Sequence, residues 1–407
     1  MREAMRVSVC RQPKLRYIME NFVFHSPTEF VFGRDTQKDT GKLVAKYGGK
    51  RVLLVYGGGS AERSGLIATV KDALDAEGIF HTVLKDIQPN PTDDKVYEGI
   101  ALCQEHAVDF ILAVGGGSVV DTAKAVALGS CYSGDFWDFY AGKEQPQDAL
   151  PIGVVLTIPA AGSEGSPNSV ITKREGHHKI SYRCQLTRPK FAIENPELTM
   201  TLPPFQTACG IVDMLCHIFE RYFSNTPAPL VNAYSEAIMR DIMDRGLTLR
   251  LNPDDYEARA DIMWAGTLAH NGLCGVGKVE DWASHRIEHE VSAIYDVAHG
   301  AGLACIVPAW LKFVAKSNPD MVWRFAINVM SVNPAGLSTE QIIDEGIALL
   351  KDFYHDLGLT TSLRELIGKE PDIDLLVKGL EGNMGKTVGG YVTLTMDDCR
   401  KIYEEAL

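Results

Sequence analysis

Two stretches constrain this chain more than any others. Arg51-Val52-Leu53-Leu54-Val55-Tyr56 runs into Gly57-Gly58-Gly59-Ser60, and Phe110-Ile111-Leu112-Ala113-Val114 runs into Gly115-Gly116-Gly117-Ser118. A short, unbroken apolar run that stops at glycine reads as a strand covered on both faces. Between them the pattern predicts a helix over about Ser64–Glu77, a strand over Phe80–Leu84 closing at Asn90-Pro91, and a second helix. That order is βαβαβ, the opening of a doubly wound parallel sheet. Glycines let backbone N–H groups approach a phosphate, and the helix that follows adds the positive end of its dipole. Neither loop is Gly-x-Gly-x-x-Gly, and one glycine triplet can be a plain tight turn. Two of them, each after a buried strand, point to a nucleotide.

The remaining first half fits the same sheet. Phe22–His25 and Glu29–Gly33 alternate around Ser26-Pro27-Thr28 and predict two short strands. Leu150–Thr157 predicts another, followed by a polar loop to Glu164. Val170–Thr172 and Lys179–Tyr182 predict a strand pair on the sheet edge. After Phe191–Ile193 and Asn195-Pro196 the alternation ends. From about Leu198 the period is helical, with room for about nine helices between proline and glycine breaks, the last capped by Thr395. The expected fold class is therefore α/β: an N-terminal Rossmann-like doubly wound parallel sheet with a C-terminal all-α domain. The expected boundaries are a dinucleotide-binding α/β domain over 19–197 and an all-helical domain over 198–407. Residues 1–18, with Arg2, Arg6, Arg11, Lys14 and Arg16 against Glu3, are expected to be a disordered extension.

Composition closes off several function classes. Lys and Arg total 40 against 53 Asp and Glu, and a net charge of −13 disfavours nucleic acid as a partner. No apolar run approaches the length of a membrane span. Nine cysteines without a Cys-x-x-Cys, and no secretory segment near the start, predict reduced thiols in a cytoplasmic protein.

The helical half carries the candidate chemistry. Asp281-Trp282-Ala283-Ser284-His285-Arg286-Ile287-Glu288-His289 continues to Ala298-His299-Gly300. In a helix His285 and His289 share a face. One straight helix would put His285 and His299 about 21 Å apart. Ligands of one ion each lie about 2 Å from it. If those two share an ion, the helix has to stop within Ser292–Val297 and the chain has to fold back. Earlier, Asp213 and His217 are four apart on one helical face, with Glu220 close to that face. Together these residues offer four N and O donors to a borderline divalent metal, iron or zinc before magnesium or calcium. Two plainer readings stay open: a buried Asp–His hydrogen bond, and a polar helix with scattered histidines. His285-Arg286-Ile287-Glu288-His289 also spells His-x-x-Glu-His, the inverzincin peptidase pattern with Glu288 as base. That reading leaves the nucleotide-like half without a role.

At this point the chain resembles the iron-containing alcohol dehydrogenases, in the branch with the butanol dehydrogenases and broad aldehyde reductases. The resemblance covers about residues 20–407. It rests on Gly115-Gly116-Gly117-Ser118-Val119-Val120-Asp121-Thr122-Ala123-Lys124, on Gly162-Ser163-Glu164, on Asp213-x-x-x-His217, and on the spacing of His285 and His299. It implies a dehydroquinate synthase-like two-domain fold with metal and nicotinamide in the cleft between halves. The metal acts there as a Lewis acid on the substrate oxygen while hydride moves to or from the nicotinamide. By resemblance the ligands of that metal, Fe²⁺ before Zn²⁺, are Asp213, His217, His285 and His299. His289 is then a proton relay near substrate, and Asp121 a residue of the catalytic and cofactor site. Gly115, Gly116, Gly117 and Ser118 would meet the pyrophosphate, with Asn90, Pro91, Thr157 and Lys179 as further cofactor contacts.

Many relatives carry threonine where this chain has Ala161, so position 161 is no contact. A carboxylate after the first strand would bond a ribose 2′-OH and repel a 2′-phosphate. Here Gly57, Gly58, Gly59 and Ser60 stand in that place, which predicts NADP(H) over NAD(H). The expected activity is a metal-dependent alcohol dehydrogenase or aldehyde reductase on small aliphatic substrates, in a homodimer joined through Phe22–Phe32. The alternatives are a NAD-dependent glycerol dehydrogenase-like enzyme, a dehydroquinate synthase-like lyase, and a non-catalytic metal- or nucleotide-binding protein.

Overall fold

A computed structural model describes residues 19–407, apart from the side chain of His177; the expectation for residues 1–18 lies outside the described residues. Eight strands form in the first half: β1 (Glu29–Phe32), β2 (Arg51–Gly57), β3 (Phe80–Ile87), β4 (Phe110–Gly115), β5 (Ile152–Leu156), β6 (Asn168–Lys173), β7 (His178–Arg183) and β8 (Phe191–Glu194). Six of them make one sheet in the order β1-β8-β5-β4-β2-β3, all parallel. The apolar runs behave as their composition demands. Leu53 and Val55 pack on one side with helices Asp93–Glu105 and Gly117–Gly129. Val52, Leu54 and Tyr56 pack on the other with helices Thr40–Lys46 and Leu66–Ala76.

Three expectations need correction. Residues 22–25 form no strand. Alternation shows that a segment has two faces, and says nothing of whether a sheet edge is free to pair with it. This segment instead runs beside 272–277, where the Glu20 N–H donates to the Gly277 carbonyl at 3.0 Å. β6 and β7 pair with each other in a separate two-stranded sheet, off the edge of the main one. The Thr172 N–H donates to the Pro91 carbonyl at 2.8 Å, and β6 packs on helix Gly117–Gly129. The second half is also not wholly helical. Ten α-helices among the described residues are joined by a short β9 (Thr387–Val388) and β10 (Leu394–Thr395) pair.

Helix Pro204–Tyr222 is the axis of the second half. Pro204 stands in its first turn, where a missing N–H costs nothing. Helices Tyr256–His270, Ala283–Tyr295 and His299–Ala315 pack on it. The two halves meet without room to spare. A Cβ on Gly210 would come within 2.6 Å of the Pro159 carbonyl in the loop after β5. Strand order reverses between β2 and β4, because β3 lies outside β2 on one side and β4 on the other. A crevice at the carboxyl ends of the strands opens at such a point, and both glycine loops border it.

Candidate functional site

The crevice is one cleft of about 1130 Å³ between the halves. It exceeds the usual volume of a pocket for one small ligand. Its sheet-side wall includes Gly57, Gly58, Ser60, Gly115, Gly116, Gly117 and Ser118. Gly59 turns the chain at φ 90° without itself lining the cleft. Gly116 and Gly117 are needed for space: a Cβ would come within 3.0 Å of Ile158 at the first and 2.8 Å of Ala161 at the second. Gly116 precedes the 13-residue helix Gly117–Gly129, whose first N–H groups open toward the cleft and suit a phosphate.

Asp121 lies one turn into that helix and lines the cleft. Oδ1 accepts from the Ser163 hydroxyl at 2.6 Å and Oδ2 from the Val170 N–H at 2.9 Å. Burial raises its pKa, against the pull of Lys124 and those two bonds. Thr157, Asn90, Pro91 and Lys179 line the cleft as well. Asn90 takes a left-handed φ of 53°, which asparagine tolerates. Its side chain accepts from Lys179 Nζ at 3.0 Å and donates to Asp296 at 3.2 Å, joining the halves across the cleft floor.

The helical wall holds the titratable cluster. Helix Ala283–Tyr295 stops at Asp296, left-handed at φ 52°, and the next helix starts at His299. That reversal brings the rings of His285 and His299 to 5.3 Å between centroids. Asp213 Oδ1 lies 3.5 Å from His217 Nδ1 and 3.8 Å from Nε2 of both His285 and His299. A tetrahedral ion with bonds near 2.05 Å separates its ligand atoms by about 3.4 Å. Asp213 Oδ1, His217 Nδ1 and His285 Nε2 are buried without a hydrogen-bond partner. Unsatisfied buried polar atoms are costly. Three such atoms facing one point, on a carboxylate and two imidazoles, have the chemistry of a divalent-cation site. Asp213, His285 and His299 alone already bring one donor atom each within 4.8 Å of one another.

Two buried carboxylates set the orientation of this cluster. Glu220 Oε1 accepts from His285 Nδ1 at 2.7 Å, from the Ser284 hydroxyl at 2.6 Å and from the His285 N–H at 3.0 Å. Glu288 accepts from His299 Nδ1 and from the Ser292 hydroxyl. A carboxylate accepts only, so both imidazoles carry hydrogen on Nδ1 and turn the Nε2 lone pair inward. Burial would lower the His285 pKa, but Asp213 and Glu220 hold it up at about 9. The local field calls for positive charge. Glu288 is fully buried and does not line the cleft. It cannot reach a water there, and the His-x-x-Glu-His peptidase reading fails on that geometry.

His289 lines the cleft 5.3 Å from the His299 ring. Burial, with Lys179 adding to it, pulls its pKa well below the usual range, so the ring is neutral. Glu288, His289 and His299 form a second close group, so spacing alone does not exclude His289 as a ligand. Sequence reasoning missed three residues here. His270 stacks edge-on against His217 at 4.0 Å and accepts from the Asn168 amide at 2.8 Å. It belongs to a third helix, and no spacing connects it to the others. Arg63 sits within 3.1 Å of where a Cβ on Gly59 would lie. Trp282 lines the cleft beside the histidines.

Residues 27–196 match the iron-containing alcohol dehydrogenase family, and 207–407 its C-terminal family. A probable NADH-dependent butanol dehydrogenase of Bacillus subtilis is 40% identical over 394 residues, 96% of this chain and 100% of that protein. The NADPH-dependent aldehyde reductase YqhD of Escherichia coli is 33% identical, over 95% of this chain and 100% of its own length. Among solved structures, the NADH-dependent butanol dehydrogenase A of Thermotoga maritima matches with a TM-score of 0.93 at 40% identity, over 96% and 99% of the two chains.

Proposed function

The chain belongs to the iron-containing alcohol dehydrogenase family and is an alcohol dehydrogenase, and from that premise we propose that it moves hydride between NADP(H) and small aliphatic alcohols or aldehydes. Asp213, His217, His285 and His299 hold one divalent ion in this reading, Fe²⁺ before Zn²⁺. The observation that carries it is the convergence of unpartnered buried donors on Asp213 Oδ1, opposite the two glycine loops.

When bound, the ion polarises the substrate oxygen and the nicotinamide carries the hydride. The chain supplies the rest. Gly115 to Ser118 and the start of helix Gly117–Gly129 seat the pyrophosphate. Asp121, with both oxygens already bonded, holds the cofactor face of the cleft. Neutral His289 passes the proton to or from the substrate oxygen. Glu220 and Glu288 aim Nε2 of His285 and His299. Glu288→Gln removes the charge behind His299, and metal affinity is expected to fall by about 10- to 100-fold with the fold intact. Titration of the apo-protein with Zn²⁺ reads this directly; unchanged affinity removes the role.

The similar proteins are named for NADH in some cases and NADPH in others. The loop Gly57–Ser60 after β2 supports NADPH here: it has no carboxylate, Glu62 in the next turn does not line the cleft and accepts from the Tyr56 hydroxyl at 2.7 Å, and the Arg63 guanidinium lies beside Gly59. After metal reconstitution, butanal-dependent loss of NADPH absorbance is expected, with kcat/KM at least about tenfold above that with NADH. Gly58→Asp, at a position with nothing within 4 Å of a new Cβ, is expected to reverse the preference. A higher kcat/KM with NADH in the parent enzyme overturns it. A homodimer through the N-terminal segment completes the reading. β1 is an edge strand, and Phe22, Val23 and Phe24 beside it are exposed.

A further inference from the structure

Trp282 has a backbone that bulky residues rarely adopt. It sits at φ 65°, ψ 10°, in the left-handed region, immediately before helix Ala283–Tyr295. Its neighbours impose that turn. Asp281 accepts from the Ala283, Gly390 and Tyr391 N–H groups, and its own N–H donates to the Glu220 carbonyl. A large side chain held in a strained turn is a reason to ask what it does.

The indole is fixed on two sides. Its Nε1 donates to Glu280 at 2.6 Å. The Arg221 guanidinium covers one face at 4.8 Å and lies 3.2 Å from the same Glu280 carboxylate. Arg221 is itself anchored on the His217 carbonyl at 2.6 Å. The free side of the ring looks into the cleft, 5.3 Å from His285, 5.8 Å from His270 and 6.2 Å from His217 between centroids. A rigid, largely apolar plate therefore stands against the donor cluster. Neither the cofactor reading nor the metal reading uses it.

We propose that Trp282 is the specificity-determining wall of the substrate subsite, packing against the alkyl chain of short unbranched aldehydes and blocking longer ones. The proposal rests on the alcohol dehydrogenase reading above. A substrate whose oxygen lies at the Asp213–His285–His299 cluster has to extend its carbon chain past this ring. The Glu280 and Arg221 contacts keep the ring from swinging aside, so the limit on length is steric. In an apolar pocket one methylene changes kcat/KM by roughly 10- to 200-fold, and a wall at this distance reads chain length at that scale.

The test is the ratio of kcat/KM for octanal to that for butanal, with NADPH, in the parent, Trp282→Ala and Trp282→Phe. A ratio within one preparation does not depend on the fraction of active enzyme, so partial loss of folding cancels. Trp282→Ala is expected to raise the ratio at least about tenfold. Trp282→Phe, which keeps a plate but loses the Glu280 tether, is expected to give a smaller rise. A ratio unchanged within twofold in both variants overturns the wall. So does a change confined to the KM for NADPH, which would put the nicotinamide against the indole instead. If the parent turns over neither aldehyde with either cofactor, the alcohol dehydrogenase reading fails and takes the wall with it. If the parent is active and only the ratio stays fixed, the wall alone fails.

Discussion

His217→Ala is expected to lose bound metal and turnover together, whereas His289→Ala keeps the metal and loses only rate. Both histidines line the cleft, and both stand near His285. They differ in what their ring nitrogens face. His217 Nδ1 is buried, unpartnered and 3.5 Å from Asp213 Oδ1. The His289 ring lies 5.3 Å from His299 and 6.4 Å from His285, within the electrostatic reach of Lys179. Removing one of four donors leaves an open coordination position and the remaining buried atoms poorly satisfied. Lewis-acid stabilisation is worth several kcal/mol, so kcat/KM for His217→Ala should fall by on the order of 10³-fold or more. Metal analysis should find far below about one ion per chain. For His289→Ala a loss of about 10²- to 10⁴-fold is expected with metal retained, as for a positioned proton-transfer group. Full activity with stoichiometric metal in His217→Ala refutes the ligand set. If His289→Ala loses the ion while His299→Ala retains it, the two histidines have exchanged roles.

That contrast marks where sequence reasoning reaches its limit. The parallel sheet was legible because Arg51–Tyr56 and Phe110–Val114 had to be covered on both faces, and they are. The reversal between His285 and His299 was legible as a condition: a shared ion demanded a stop, and the helix ends at Tyr295. Alternation at 22–25 and at 170–182 could not reveal which edge, if any, would accept those segments. Spacing alone favoured His289 as the partner of His285, since i and i+4 share a face. What aims a ring is the hydrogen on its imidazole, and Glu220 and Glu288 set that for His285 and His299 through contacts 65 and 11 residues away in sequence. Glu288 was visible in the sequence as a peptidase base. Only burial shows it facing Ser292 and His299, away from the cleft. His270 enters the site from a helix that no motif joins to the others, and Trp282 stands in the histidine stretch with nothing in its spacing to mark it.

Lys124 closes the motif Gly115–Lys124, and its surroundings argue for a strut. The side chain is fully buried. Nζ donates to the Ser163 carbonyl at 2.7 Å, the Ser163 hydroxyl at 2.8 Å, the Ser166 carbonyl at 2.9 Å and the Asn168 carbonyl at 2.7 Å. Burial draws its pKa down to about 8, with Asp121 and Glu164 holding it from falling further. One ammonium thus ties together the whole loop between β5 and β6. That loop carries the Ser163 hydroxyl to Asp121 and the Asn168 amide to His270. Methionine at 124 fills similar volume but donates nothing, leaving the Ser166 and Asn168 carbonyls without this donor and the Ser163 carbonyl and hydroxyl with only their bonds to the Ser166 N–H and to Asp121. Breaking a buried network from one side costs about 3–5 kcal/mol. Lys124→Met is therefore expected to lower Tm by roughly 4–6 °C for a chain of this size. Below the melting range the KM for NADPH should rise, because Asp121 loses the partner that aims it. Amide exchange should quicken across 162–168 before it does in β4 or β5, since the strands keep their own ladders. A Tm within about 2 °C of the parent, with exchange in that loop unchanged, would show that the oxygens find other donors and that Lys124 holds nothing.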